Sequence, residues 1–147
     1  MLMESLVVPG KLESLGRIGE YVMDVATSAG LARRDAYRLR LAVDEIATNA
    51  IVHGYEEVGT TGDLIVRAEY DDRHLRLILE DAGPAYDPLS TPPPDDLDQP
   101  LSDRDIGGLG VFLALKGVDE FRYSREDEKN YNIFVMNRTD TGDRAKA

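Results

Sequence analysis

Residues 64–70 (LIVRAEY) and 75–80 (LRLILE) each read as a strand, and only Asp71-Asp72-Arg73-His74 separates them. A parallel crossover needs a dozen or more residues, so so short a link makes the pair an antiparallel hairpin. In the second stretch Leu75, Leu77 and Leu79 alternate with Arg76, Ile78 and Glu80, so one face is apolar and needs cover. Residues 12–29 supply it, with Leu15, Ile18, Val22, Val25 and Ala26 at helical spacing and a stop at Gly30. Residues 35–54 read as a second helix, whose core stripe is Leu39, Val43, Ile46 and Ala50. A short strand over 4–8, ended by Pro9-Gly10, opens the chain, and residues 121–124 and 131–137 form a closing strand pair. Strict strand–helix alternation is absent, which excludes a doubly wound parallel sheet. The expected fold is an α/β (α+β) two-layer sandwich: a mostly antiparallel, mixed sheet with helices on one face.

At 147 residues the chain fits one domain. Six of its seven prolines fall between Pro84 and Pro100, where Pro92-Pro93-Pro94 is followed by Asp95, Asp96 and Asp98. No regular structure is expected from Gly83 to about Asp105, and a connection this long reads as a lid, a binding loop or a solvated acidic loop. The expected organisation is a single domain over 1–138 with a lid at about 84–106, then a polar tail over 139–147. The net charge of −11 disfavours nucleic acid and anionic membranes as partners and favours a basic protein surface. The absence of cysteine excludes disulfides and thiol chemistry and fits a reducing cytoplasm. The first residues lack the basic and apolar regions of a secretory leader, and no apolar run nears the ~20 residues of a membrane span.

Three segments could converge on one ligand. Glu45, Asn49 and His53 are spaced four apart and stack along one side of the second helix. At about 100° per residue they fall at the edge of the core stripe, where a pocket wall would stand, whereas Asp44 and Thr48 point away. A carboxylate there can hold a proton and an amide oxygen a hard cation; the alternative is an ordinary amphipathic helix with polar flanks. Asp81-Ala82-Gly83-Pro84 follows directly on a strand, and its Asp can accept from an exocyclic amine or simply make a turn. Gly107-Gly108-Leu109-Gly110 opens a helix over VFLALK, where freed backbone N–H groups can meet phosphate oxygens, or where the chain only flexes. The Gly-rich turn is neither a Walker A loop nor a dinucleotide fingerprint.

The order Glu and Asn on a helix, Asp-x-Gly after a strand, a long connection and Gly-Gly-x-Gly opening a helix resembles one known family. DEIATNAIVHGY is similar to the N box, DAGPAYDP to the first glycine box and IGGLGVFLALKGVDEFRYSR to the second in RsbW-type anti-sigma-factor serine/threonine kinases of the GHKL ATPase superfamily. The resemblance runs from about Val7 to Asn137 and implies the Bergerat ATP-binding fold. It implies Asn49 as a magnesium ligand at the ATP phosphates and Glu45 as the base toward a protein serine or threonine hydroxyl. Asp81 would bind the adenine amine, with Gly83 letting the base approach. Gly107, Gly108 and Gly110 would cradle phosphates, with Arg104 as a phosphate contact or as local charge balance for Asp103 and Asp105. His53 matches a family position and reads as a hydrogen-bonding residue near the helix end. In the family the last strand carries a Thr near the adenine; in Asn130-Tyr131-Asn132-Ile133 the place falls on Ile133.

The resemblance thus implies a cytoplasmic ATP- and magnesium-dependent kinase that phosphorylates a STAS-domain anti-sigma antagonist, sequesters a sigma factor and forms a homodimer. The alternative is a nucleotide-dependent binding module with little or no phosphotransfer. A detached catalytic domain of histidine-kinase type is a third reading, disfavoured by the lack of a dimerisation helix carrying a phospho-accepting His and by the compact single-domain length.

Overall fold

The computed structural model describes residues 1–88 and 106–138, without the side chains of 106–109. Most of the expected lid, Arg104 and the expected tail lie outside them. Five strands form one sheet: β1 (Leu6–Pro9), β2 (Asp63–Tyr70), β3 (His74–Asp81), β4 (Glu120–Glu126) and β5 (Lys129–Asn137), in the spatial order β1-β2-β3-β5-β4. Every pair is antiparallel. The helices are α1 (Leu15–Ser28), α2 (Arg33–Asn49) and α3 (Ile106–Leu115).

Strand alternation sorts the sheet into two faces. Val8, Leu64, Val66, Leu75, Leu77, Leu79, Phe134 and Met136 are buried against Ile18, Val22 and Val25 of α1, Leu39, Val43 and Ile46 of α2, and Val111 and Ala114 of α3. The opposite face carries exposed Val7, Glu69 and Arg76. Helices on one face of an antiparallel sheet is therefore the observed architecture. The inner face also tells which rows continue the core. The row Ala68–Leu77–Phe134–Phe121 is apolar throughout, and Phe121 meets Phe134 edge to face at 5.1 Å. One row on, Val66–Leu79 continues into Asn132 and Tyr123; the next, Leu64–Asp81, continues into Asn130 and Arg125. The core gives way to polar groups at this end of the sheet.

Element limits shift for local reasons. Residues 12–14, expected as α1, form a 3-10 turn, with the Ser14 hydroxyl donating to Pro9 O at 2.7 Å. α1 closes at Gly30 (φ 74°), and Leu31 N donates back to Ala26 O at 3.0 Å, a glycine stop as the sequence predicts. The second helix keeps α pitch only through Asn49; residues Ala50–Glu56 are π-helical, a form that recurs at functional sites. This stretch presents Tyr55, 3% exposed, to three segments at once. Its hydroxyl donates to Asp63 O and accepts from Ala82 N, both at 2.9 Å. Its ring lies so close to Gly10 and Gly62 that a Cβ on either would come within 2.5 and 2.7 Å of it. β4 and β5 are joined by Asp127-Glu128, both at positive φ (51° and 63°), as a two-residue hairpin of matching twist requires.

Tyr55→Phe removes two half-buried hydrogen bonds, leaving the Ala82 N–H and the Asp63 carbonyl without this partner. We expect a loss of about 1–3 kcal/mol in urea unfolding. Glu128→Gly relieves a left-handed side-chain conformation, and the same measurement should show a gain of about 1 kcal/mol.

Candidate functional site

The polar end of the sheet and the far end of α2 enclose a cavity of about 110 Å³. Ile46, Asn49, Ala50, His53 and Gly54 form one wall; Pro84, Ala85, Tyr86 and Pro88 form another; Asp81, Asn130 and Asn132 form the floor. A complete small-molecule site typically holds roughly 300–1,000 Å³, so this space suits one ring of a ligand. Apolar walls around a few convergent polar groups select a flat, partly polar ring.

Asp81 is 5% exposed. Burial pushes its carboxyl above the usual carboxylate range, while hydrogen bonds from Asn130 and from Gly83 N, and the Arg125 guanidinium, pull the other way; nearby Glu80 adds to the upward push. Both hydrogen bonds fall on Oδ1: Gly83 N at 2.9 Å and Asn130 Nδ2 at 2.9 Å. Among the described residues Oδ2 has no donor, and it is left to accept from a ligand. Gly83 has a structural reason to be glycine, since a Cβ there would lie 3.1 Å from Asp81 Oδ1 and 3.1 Å from Gly54 O. The space beside it is taken by the protein's own π-helical segment.

Of the helical column, Asn49 and His53 line the cavity and Glu45 does not. Glu45 stands one turn earlier on α2, half-buried, facing α3: a Cβ at Gly110 would come 2.7 Å from its Oε2. Burial, and secondarily Asp44, raises its carboxyl above the ordinary value, so this group takes up a proton more readily than a free glutamate. His53 Nδ1 lies 3.0 Å from Glu57 Oε1, the helix-end bond expected of it. The expected Gly-rich turn before α3 is instead helix: Gly107, Gly108 and Gly110 fall within Ile106–Leu115. Glycine costs a helix interior about 1 kcal/mol relative to Ala, and at Gly110 it lets the Glu45 carboxylate lie against the helix without shifting. Arg104 lies outside the described residues.

Two floor residues escape sequence reasoning. Asn130, 2% exposed, pairs with Asp81 across β3 and β5. Asn132, 3% exposed, has a buried Oδ1 with no hydrogen-bond partner among the described residues. The register corrects the expectation for the last strand: Ile133 pairs with Ile78 and Arg122 on the opposite face, and Asn132 is the residue turned to the cavity. The available signal was the period-2 alternation through Phe134 and Met136, which places even-numbered residues of β5 inside.

The donor set fits an amino-bearing base. The Asp81 carboxylate is an acceptor among apolar walls, and an exocyclic amine is a donor. For a divalent cation, no group of three His, Asp or Glu that could hold one lies among the described residues. The Asn49 amide oxygen suits magnesium that takes its remaining oxygens from phosphates and water.

The sequence pattern of the family described as histidine kinase-like ATPase domain matches residues 8–136. The chain is similar to the serine-protein kinase RsbW of Halalkalibacterium halodurans, 33% identical over 118 residues that cover 78% of this chain and 71% of the relative. The serine-protein kinase RsbW of a Staphylococcus aureus strain is 29% identical over 122 residues, covering 81% and 77%. Among solved structures, the histidine kinase domain of a blue-light activated histidine kinase from Erythrobacter litoralis superposes with a TM-score of 0.52 at 21% identity, over 84% of this chain and 59% of that one. This chain thus spans less than two thirds of that solved chain, and the likeness shows a shared fold. With that pattern running over nearly its whole length, the chain belongs to the histidine kinase-like ATPase domains, and within them to the RsbW-type kinases.

Proposed function

We propose that the protein is an ATP- and magnesium-dependent serine/threonine protein kinase and anti-sigma factor of the cytoplasm. Its substrate is a STAS-domain anti-sigma antagonist and its sequestered partner a sigma factor. The observation that carries the reading is Asp81: a buried carboxylate with one oxygen held by two donors and the other left for an amine, in a cavity shared with Asn49. The names of the RsbW relatives supply the serine-kinase activity.

In this reading the adenine ring enters the cavity with its amine on Asp81 Oδ2, and Gly83 serves it by donating its N–H to Asp81 Oδ1. Asn49 holds magnesium at the phosphates. The first turn of α3, with Gly107 and Gly108, offers backbone N–H groups to phosphate oxygens, Gly110 one residue beyond it lets the helix come close, and Arg104 adds a cation. Phosphoryl transfer depends on positioning and charge neutralisation. Glu45 serves as the proton acceptor for the attacking hydroxyl, a role its raised pKa suits. The reading takes residues 1–138 as one functional unit. The outer face of the sheet, where Ile78 pairs directly with Ile133 and no second layer covers it among the described residues, supports a homodimer through that face.

Incubation with labelled ATP, magnesium and STAS-domain proteins tests the kinase reading: acid-stable phosphoserine or phosphothreonine on the partner is expected. A second reading, nucleotide-dependent capture of a partner without transfer, draws on one observation, that Glu45 lies beside α3 and not on the cavity wall. Tight nucleotide binding with no transfer to any STAS partner is its signature.

Glu45→Gln should slow transfer by about 10²–10⁴-fold and leave the nucleotide Kd within about three-fold, because a base acts only in the transition state. The base must be ionised to act. The wild-type rate should therefore fall as pH drops through a midpoint above the ordinary glutamate value of ~4.3, and single-turnover rates against pH check this. Asn49→Ala should weaken magnesium-dependent ATP binding as well as transfer, seen as loss of the magnesium effect in calorimetry.

A further inference from the structure

One inner-face row of the sheet runs Leu64–Asp81–Asn130–Arg125 across four strands. Its three polar members form a closed network. Asn130 Nδ2 reaches three acceptors: Asp81 Oδ1 at 2.9 Å, Pro84 O at 2.9 Å and Gly83 O at 3.3 Å. Asn130 Oδ1 accepts from Arg125 Nη1 at 3.0 Å and from the Tyr123 hydroxyl. Arg125 Nη1 also donates to Gly83 O at 3.0 Å. Donors face one end of the amide and acceptors the other, so the side chain has a single satisfiable orientation. The β4–β5 hairpin is thereby tied to the segment that follows β3, some 50 residues earlier in the chain.

We propose that Asn130 is a positioning residue for base recognition: braced by Tyr123 and Arg125, it holds Asp81 Oδ1 so that Oδ2 is fixed toward the exocyclic amine of a purine. The assignment rests on the reading of the cavity as the base site of a nucleotide. Asn130 acts through Asp81 in two ways. It fixes the carboxylate's rotamer, together with the Gly83 N–H. It also favours the ionised form, which burial opposes. The other titratable or charged groups facing Asp81 are Glu80 beside it on β3, Arg125 on β4, and Tyr55 and His53 of the π-helical segment. Among these, Glu80 is engaged by Arg67 at 3.1 Å and Lys129 at 3.6 Å on the other face of the sheet.

The test compares equilibrium binding of ATP and inosine triphosphate, which lacks the amine, to the full-length protein. Wild type should prefer ATP. Asn130→Ala should reduce that preference by about ten-fold, the size of a lost hydrogen bond to a charged group, while its affinity for inosine triphosphate stays within about two-fold. The pH below which ATP binding is lost should also move upward, because Asp81 without its donor is protonated more easily. A purely structural role would weaken both nucleotides equally and leave the pH midpoint in place, and that result overturns the assignment. If Asn130→Ala does not fold, Arg125→Met, at an exposed position, decides: an ATP preference reduced by about three-fold supports the brace, and an unchanged preference refutes it. Wild-type protein that binds neither nucleotide overturns the cavity reading itself and this assignment with it. A wild type that prefers ATP beside an Asn130→Ala variant with the same preference overturns the assignment alone.

Discussion

The pairing of β3 with β5 is the constraint on which the rest of the structure depends. These strands are neighbours in the sheet but lie some 50 residues apart in the chain, and their register sets Asp81 opposite Asn130 and Leu79 opposite Asn132. A slip of one residue would turn Ile133 inward and expel both asparagines to the other face. Leu75, Leu77, Phe134 and Met136, all buried, hold the register from the core end. The same alternation that fills the core therefore delivers the acceptors to the cavity. The site is the place where the inner face runs out of apolar residues.

The second support comes from α2. Its apolar stripe docks on the sheet and leaves Glu45 and Asn49 at the stripe's edge. The change to π pitch after Asn49 then brings Gly54 against Gly83 and Tyr55 under Ala82. Tyr55 joins β2 and the end of β3 with one hydroxyl, so the backbone that carries Asp81 is fixed from below as Asn130 fixes the side chain from beside it. A rigid, buried carboxylate discriminates ligands by whether they satisfy it. Leaving such a group unpaired is costly.

Much of this was legible in the sequence. The short link between residues 70 and 75 dictates the hairpin, and the stripe Leu39, Val43, Ile46 marks the buried side of α2. Asp81-x-Gly83 could be placed at a strand end because LRLILE alternates. What stayed hidden was non-local. No local signal announces π pitch at residues 50–56, because it arises from the fit of Tyr55 and Gly54 against other segments. The partners of Asn130 come from β3 and β4, so their meeting depends on a strand order that local periodicity does not encode. The glycines before VFLALK read as a turn because glycine disfavours helices, yet Gly110 sits within α3, where a Cβ would press on the Glu45 carboxylate and make it shift.

The central claim is that Asp81 is the acceptor for a nucleotide base. Its most direct measurement is the ATP affinity of Asp81→Asn by calorimetry. Gly83 N and Asn130 Nδ2 both donate to Oδ1, so an amide at this position must turn its oxygen to them and its NH₂ to the ligand. A donor then faces the amine. The account predicts that ATP binding falls by about 100-fold while the protein stays folded by circular dichroism. A folded Asp81→Asn protein that binds ATP as tightly as wild type would contradict it.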